Sequence, residues 1–298
     1  MAPNPGLTVS AVVVNYNARH HLLECVRSLR AEGVVDVVVA DNASVDGSQA
    51  ALEAVDPEVR YHQTGANLGY GGGANQAAAR TDPASSYLLC MNPDAVVEPG
   101  SIKALVETLE SRPEVGLVGP RIERPDGTLY PSARTFPALG DAVGHAFLGL
   151  VWPTNPFTRR YRMLDWDHAV PADVDWVSGA CFLIRRTTWE SLGGFDEAFF
   201  MYAEDVDLCW RAGRASWKVT YEPAARVVHE QGVSTDRHPY RMIAEHHRAL
   251  FRFAARTTEG RERVLLPLMA AGLVLRTPVA WLHRLTAGLR RSLGGGVH

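Results

Sequence analysis

The chain has 298 residues, 46% of them apolar and 21% charged, and a net charge of −3. That is long enough to bury a sizeable core unaided, and its composition excludes a disordered or collagen-like chain. The charge is uneven: residues 237–298 hold 11 Arg against three Glu, a net of +8, on a body of net −11. Such a tail suits phosphates, acidic lipid or nucleic acid.

In chain order, Val9–Val14 is an apolar, valine-rich run that fits a buried parallel strand. Residues 20–31 carry Leu22, Leu23, Val26 and Leu29 at helical spacing. Strands are then expected at Val34–Ala40, Val59–Gln63, Tyr87–Met91 and Val115–Val118, with helices at Gly47–Val55, Gly73–Arg80 and Pro99–Ser111 between them. This alternation implies right-handed βαβ units and a mostly parallel sheet flanked by helices. Residues 121–175, rich in Pro, aromatics and Arg, read as long loops with short elements, a functional signature in a compact domain. Regular structure resumes with a strand over Trp176–Arg185 and a helix over Ala203–Ala212 closed by Gly213. Residues 240–256 read as helical, and 262–291 as one or two helices broken by Pro267 and Pro278.

MAPNPGLTVS lacks the basic flank and apolar core of a signal peptide. The most apolar late run, Val264–Leu275, has 12 residues, short of the roughly 20 a spanning helix needs. Cys25, Cys90, Cys181 and Cys209 never fall in C-x-x-C spacing, which favours reduced, buried thiols of a cytosolic protein over a zinc ribbon.

Ligands of open α/β sheets bind beyond the carboxyl ends of the strands. The residues there are Asn15, Tyr16 and Asn17, then Asp41, Asn42 and Ser44, then Asn67, Gly69 and Asn75, then Asn92 and Asp94. Each alone suits a turn; four polar strand ends on one rim suit a site. The GYGGGA run at Gly69–Ala74 matches a dinucleotide pattern but follows the third strand rather than the first. Its glycines fit close approach of backbone to a ligand instead. Glu204 and Asp205 open a helix directly after the apolar Phe199–Tyr202. They can serve as helix-dipole partners, or as carboxylates whose pKa is raised by apolar walls, as a base requires. Asp207 and Arg211 read as a surface i,i+4 pair. His229 ends another strand-like run.

Taken together, VVVNYN, DNASVDGS, NLGYGGGAN, MNPDA, SGACFLIRR and GGFDEAFFMYAEDVDLCWR resemble family 2 glycosyltransferases of the GT-A fold over residues 7–235. The NPDA form and the Arg134–Pro137 segment resemble bacterial rhamnosyltransferases, in particular those that add rhamnose to a polyprenyl-diphosphate-linked N-acetylglucosamine in cell-wall assembly. The resemblance implies an inverting hexosyltransferase with a GT-A domain at 1–235; residues 236–298 read from their own composition as a basic, partly amphipathic helical extension. The resemblance also implies a nucleotide-sugar donor, dTDP-rhamnose or a UDP-sugar, and a Mn²⁺ or Mg²⁺ cofactor. Asn15, Tyr16, Asn17, Asp41, Asn42, Asn67, Gly69, Asn75 and Asn92 would hold the nucleotide, with Asp41 accepting the base N3–H. Trp176, Gly179 and Ala180 would line the sugar and acceptor pocket. Asp94 and His229 would bind the metal, the nitrogen ligand tilting it towards Mn²⁺. Asp205 would be the base and Glu204 its neighbour.

In the tail, Leu273, Val274, Trp281, Leu282, Leu285 and Leu289 form an apolar stripe among Arg276, Arg284, Arg290 and Arg291. Such a helix lies in a membrane interface, here the inner face of the plasma membrane, or packs on the catalytic domain or in a homodimer. Nucleic acid is disfavoured, since the arginines lack aromatic stacking platforms. A nucleotidyltransferase would need an early basic loop, and the first hundred residues hold no lysine.

Overall fold

The computed structural model describes residues 8–136, 152, 154–230 and 239–294. In chain order the elements are β1 (Val9–Asn15), α1 (Arg19–Ala31), β2 (Asp36–Asp41), α2 (Ser48–Val55), β3 (Arg60–Gln63), α3 (Gly69–Ala78), β4 (Tyr87–Met91), β5 (Ala95–Val97) and α4 (Ser101–Ser111). There follow β6 (Val115–Glu123), β7 (Leu129–Tyr130), β8 (Ala133–Arg134), α5 (Pro156–Tyr161), β9 (Ala172–Val174), β10 (Trp176–Val177), β11 (Cys181–Arg185) and α6 (Arg186–Leu192). The chain continues with α7 (Glu204–Arg214), β12 (Lys218–His229), α8 (Pro239–Thr257), a 3₁₀ turn (Gly260–Leu265) and α9 (Leu266–Gly294).

The main sheet runs β3-β2-β1-β4-β11-β6-β12-β5. β3, β2, β1 and β4 are parallel neighbours, as are β6 and β12, whereas β11 lies antiparallel between β4 and β6. Strand order reverses at β1 and β4, so a crevice opens beyond their carboxyl ends. Alternate side chains feed two cores. Ala11 and Val13 pack with Leu22, Leu29, Leu105 and Leu109 of α1 and α4. Val12 and Val14 pack with Ala74, Leu208, Cys209 and Phe253 of α3, α7 and α8. The four cysteines are buried and free. Burial pushes the Cys181 and Cys209 thiols up to about 12, which leaves them inert.

The structure departs from the sequence expectation at several points along the chain. First, Trp176–Arg185 is two strands, because the chain turns a corner at residues 178–180; there Ser178 N–H donates to Ser132 O (2.8 Å) and Tyr70 Oη donates to Gly179 O (3.0 Å). Second, α3 starts at Gly69 rather than Gly73. Two of its glycines make room for close packing within the protein: a Cβ on Gly69 (φ +76°) would meet the Phe200 backbone O at 1.9 Å, and one on Gly73 would meet the Val14 side chain at 2.7 Å. Third, α7 runs through Gly213 to Arg214. Fourth, α9 is continuous: Pro267 sits in its first turn, where no N–H is needed, and Pro278 is carried inside it. Finally, Asp207 is fully buried rather than superficial; Arg211 reaches it at 2.7 Å and Arg256 of α8 pairs with it from the other side.

The tail also differs. Gly260–Leu282 forms 23 helical residues of mean hydropathy 1.6, long and apolar enough by length and composition to cross a membrane, unlike the 12-residue run read from sequence. The single stripe is split: Leu273 is buried, while Leu268, Val274, Leu275, Val279, Leu282 and Leu285 are exposed. The side chains of Arg284, Leu289, Arg290 and Arg291 lie outside the described residues.

Candidate active site

A cleft of about 370 Å³ opens at the strand-order reversal. Asn42, Asn67, Gly69, Asn92 and Asp94 reach it from the sheet side, and Tyr16 follows β1 into it. Asn67 Oδ1 accepts the Gly69 N–H (3.0 Å), and Asn42 Nδ2 donates to Gly69 O (2.8 Å), so the two asparagines fix the turn that starts α3.

Four predicted nucleotide residues stand apart from the lining. Asn15 and Asp41 are fully buried behind it. Asp41 accepts from Asn15 Nδ2 (2.6 Å), from the Ser44 N–H (2.7 Å) and from the Tyr61 hydroxyl. These bonds brace β1 against β2 from behind the cleft lining. Asn17 takes a left-handed φ of 53° and accepts the Val45 N–H (2.8 Å), bracing the same corner. Asn75 clamps Phe195, donating to its carbonyl and accepting its N–H at 2.9 Å each, and so anchors the segment leading to Phe199–Ala203.

That segment presents the acids. Tyr202 (φ 69°) and Ala203 (φ 60°) are consecutive non-glycine residues in the left-handed region, a strained pair that delivers Glu204 and Asp205 to the N-terminus of α7. Asp205 lines the cleft and is half-buried. Its Oδ2 accepts the Gly179 N–H (2.7 Å) and its Oδ1 the Val206 N–H (2.8 Å). A Cβ on Gly179 would press on Asp205 at 3.2 Å, so glycine there permits the contact. Burial raises the Asp205 pKa, while the two N–H donors and Arg134 oppose that rise. Glu204 is 6% exposed and its Oε2 is buried without a partner. Burial, then the neighbouring Asp205, pushes it up to about 8. Both carboxyls are thus pushed towards their neutral forms by burial, but only Asp205 has backbone N–H donors bonded to its side-chain oxygens, and these favour its charged form.

Trp176, Gly179 and Ala180 line the cleft as expected from sequence. The Arg134 guanidinium lies over the Trp176 ring at 4.8 Å and donates to Tyr130 Oη at 2.9 Å. At the end of β12, His229 Nε2 stands 3.1 Å from Asp94 Oδ1 and 3.3 Å from Asn92 Nδ2. This pair, a carboxylate oxygen and an imidazole nitrogen, is close enough to share one divalent ion and fits Mn²⁺ or Mg²⁺. Among the described residues no third His, Cys, Asp or Glu joins them. The remaining ligands would be diphosphate oxygens and water, the usual arrangement for such an ion.

Sequence reasoning missed one wall. Arg241, Met242, His246 and Leu250 of α8 line the same cleft. His246 meets Tyr202 edge-on at 5.1 Å. No motif marks these residues; the only signal was the excess of arginine in the tail.

A sequence model of glycosyl transferase family 2 matches residues 10–189. The chain is 39% identical over 296 residues, 95% of each chain, to the N-acetylglucosaminyl-diphospho-decaprenol L-rhamnosyltransferase of Mycobacterium tuberculosis. It is 27% identical over 199 residues to the rhamnosyltransferase WbbL of Escherichia coli, 65% of this chain and 72% of that one. Among solved structures it resembles the mannosyltransferase PcManGT from Pyrobaculum calidifontis in complex with GDP-Man and Mn²⁺. The TM-score is 0.59 at 18% identity, covering 100% of this chain and 79% of that one, a likeness of fold alone.

Proposed function

The chain belongs to glycosyl transferase family 2 and is a hexosyltransferase of the GT-A fold, and from that premise we propose that it transfers L-rhamnose from dTDP-rhamnose to a polyprenyl-diphosphate-linked N-acetylglucosamine, with inversion. The observation that carries this reading is Asp205, held at a helix N-terminus and aimed into the cleft that also receives Asp94 and His229. The acceptor hydroxyl attacks the anomeric carbon as the bond from that carbon to the nucleoside diphosphate breaks, and the hydroxyl proton passes to the Asp205 carboxylate. One base and opposite-face attack suffice, and configuration inverts, the stereochemical logic of inverting glycosidases with a sugar hydroxyl in place of water. Asp94 and His229 would hold the divalent ion, which offsets the charge growing on the departing diphosphate. Asn42, Asn67 and the Gly69 turn face the nucleotide. Trp176 and Arg134 form a flat cationic–aromatic wall beside the sugar.

The relatives' acceptor supports a workplace at a membrane surface, which we place at its cytoplasmic side. Although Gly260–Leu282 is long enough to cross a bilayer, α9 is packed on α8 along one side: His247 Nδ1 bonds the Thr277 hydroxyl (2.8 Å) and Trp281 meets Tyr240. On these contacts we place α9 in the membrane interface, docked on α8 along one side with its exposed leucines towards lipid.

The test is transfer from a panel of nucleotide sugars to a short-chain polyprenyl-diphosphate N-acetylglucosamine, with added Mn²⁺ or Mg²⁺ or with chelator. The expected result is metal-dependent transfer from dTDP-rhamnose. Transfer from a UDP-sugar alone would reject the rhamnose donor, and full activity in chelator would reject the Asp94–His229 ion.

A further inference from the structure

α8 begins at the cleft and α9 returns alongside it. Arg241, three residues into α8, lines the cleft, with its guanidinium over the Phe200 ring at 5.1 Å. It is exposed and makes no ion pair among the described residues. Its neighbour Tyr240 is also exposed and meets Trp281 edge-on at 6.0 Å, and Trp281 Nε1 donates to the Tyr240 carbonyl at 3.3 Å. Leu282, the next residue of α9, and Leu285, one turn beyond Trp281, are both exposed. A cation inside the cleft thus adjoins an aromatic pair and an open aliphatic surface outside it.

Resting on the function proposed above, we infer that Arg241 binds the diphosphate of the acceptor, and that Tyr240, Trp281, Leu282 and Leu285 seat its first isoprene units. The order of groups on the protein is the order of groups on a prenyl diphosphate: anion, then branched hydrocarbon. Arginine matches phosphate oxygens with a planar fork of donors. An aromatic pair with one polar edge is suited to the boundary between a charged headgroup and a hydrocarbon chain. The donor does not need this surface. Its diphosphate belongs with Asp94 and His229 at the strand ends, and a nucleotide sugar has no aliphatic chain to cover Leu282 and Leu285.

The experiment measures binding of farnesyl diphosphate to the full chain with excess nucleoside diphosphate occupying the donor site. Steady-state kinetics with the lipid-linked acceptor run in parallel. Arg241→Gln and Trp281→Ala should each weaken farnesyl diphosphate binding by about tenfold, the scale of one charge-assisted bond or one aromatic anchor. Both should raise the acceptor KM while leaving the nucleotide-sugar KM in place, and Arg241→Lys should recover part of the loss. Unchanged farnesyl diphosphate affinity in Arg241→Gln overturns the inference. So does a rise confined to the nucleotide-sugar KM, which would assign Arg241 to the donor. Arg241-dependent binding in a chain that transfers no sugar would uphold this site and reject the proposed function. Transfer by the unmodified chain that ignores both substitutions would do the reverse.

Discussion

Asp205 and Glu204 are adjacent in sequence yet face different surroundings. Asp205 accepts two backbone N–H bonds, which favour its charged form, whereas Glu204 Oε2 finds no partner. The expected consequence for Asp205→Asn is a folded protein that still binds nucleotide but loses turnover by about 10²–10⁴-fold, the usual worth of a positioned base. Stopped-time transfer assays check this, and near-normal turnover would remove Asp205 from the role. Glu204 has a different signature. Its folded pKa, raised to about 8 from 4.5, means that the folded state holds a proton that the unfolded chain releases across that window. The stability this contributes is complete below about pH 4.5 and is lost as pH rises towards 8. Glu204→Gln, neutral at every pH, should flatten the fall in Tm between pH 5 and 8; an unchanged slope would show that Glu204 ionises normally. Both acids could be picked out from sequence because an apolar Phe-Phe-Met-Tyr run precedes them. Their ranking could not, since it depends on Gly179, 26 residues earlier.

Among the elements, α7 and α8 are joined through one buried carboxylate. Asp207 is bound by Arg211 from its own helix and by Arg256 from α8, and Arg256 also holds Asp196. Removing the charge leaves two guanidinium groups facing a dry partner. Asp207→Asn should therefore cost about 3 kcal/mol in urea unfolding, the lower end for a broken buried pair because both arginines keep some solvent. A loss below about 1 kcal/mol would mean that α8 is held by its apolar face alone. In sequence, Asp207 and Arg211 looked like a surface i,i+4 pair. The i,i+4 spacing was correct; burial was invisible because the covering helix starts some thirty residues later. The same limit applies to Trp176–Arg185, whose apolar pattern runs unbroken through a corner made by contacts with Ser132 and Tyr70.

For the whole molecule, the acidic body and basic tail find a geometric meaning. α8 closes the cleft and α9 exposes Leu268, Leu275, Val279 and Leu282 along one side. The full chain should float with anionic vesicles and should detach as salt rises, because screening weakens the arginine attraction. Leu268→Glu with Leu275→Glu should abolish flotation without changing donor binding. Equal flotation of this variant would leave α9 as a helix that merely packs.

Residue order alone determined the alternating strands and helices, the polar strand ends and the paired acids, because each follows from local spacing: period two or 3.6 for the elements, and turn chemistry for the rim. Tertiary contact decided the rest. Asp41, Asn15, Asn17 and Asn75 carry the chemistry to meet a nucleotide, yet the structure sets them behind the cleft lining, where they bond Tyr61, Ser44, Val45 and Phe195, 20 to 120 residues away in the chain, and brace the site. Arg241 carries no motif at all, and reaches the cleft because α8 packs on the body through Ala249 and Phe253 and through the Arg256–Asp207 pair. Hydrogen bonds and ion pairs between distant segments are not encoded in any window of neighbouring residues, and they determine which polar groups remain available to a ligand.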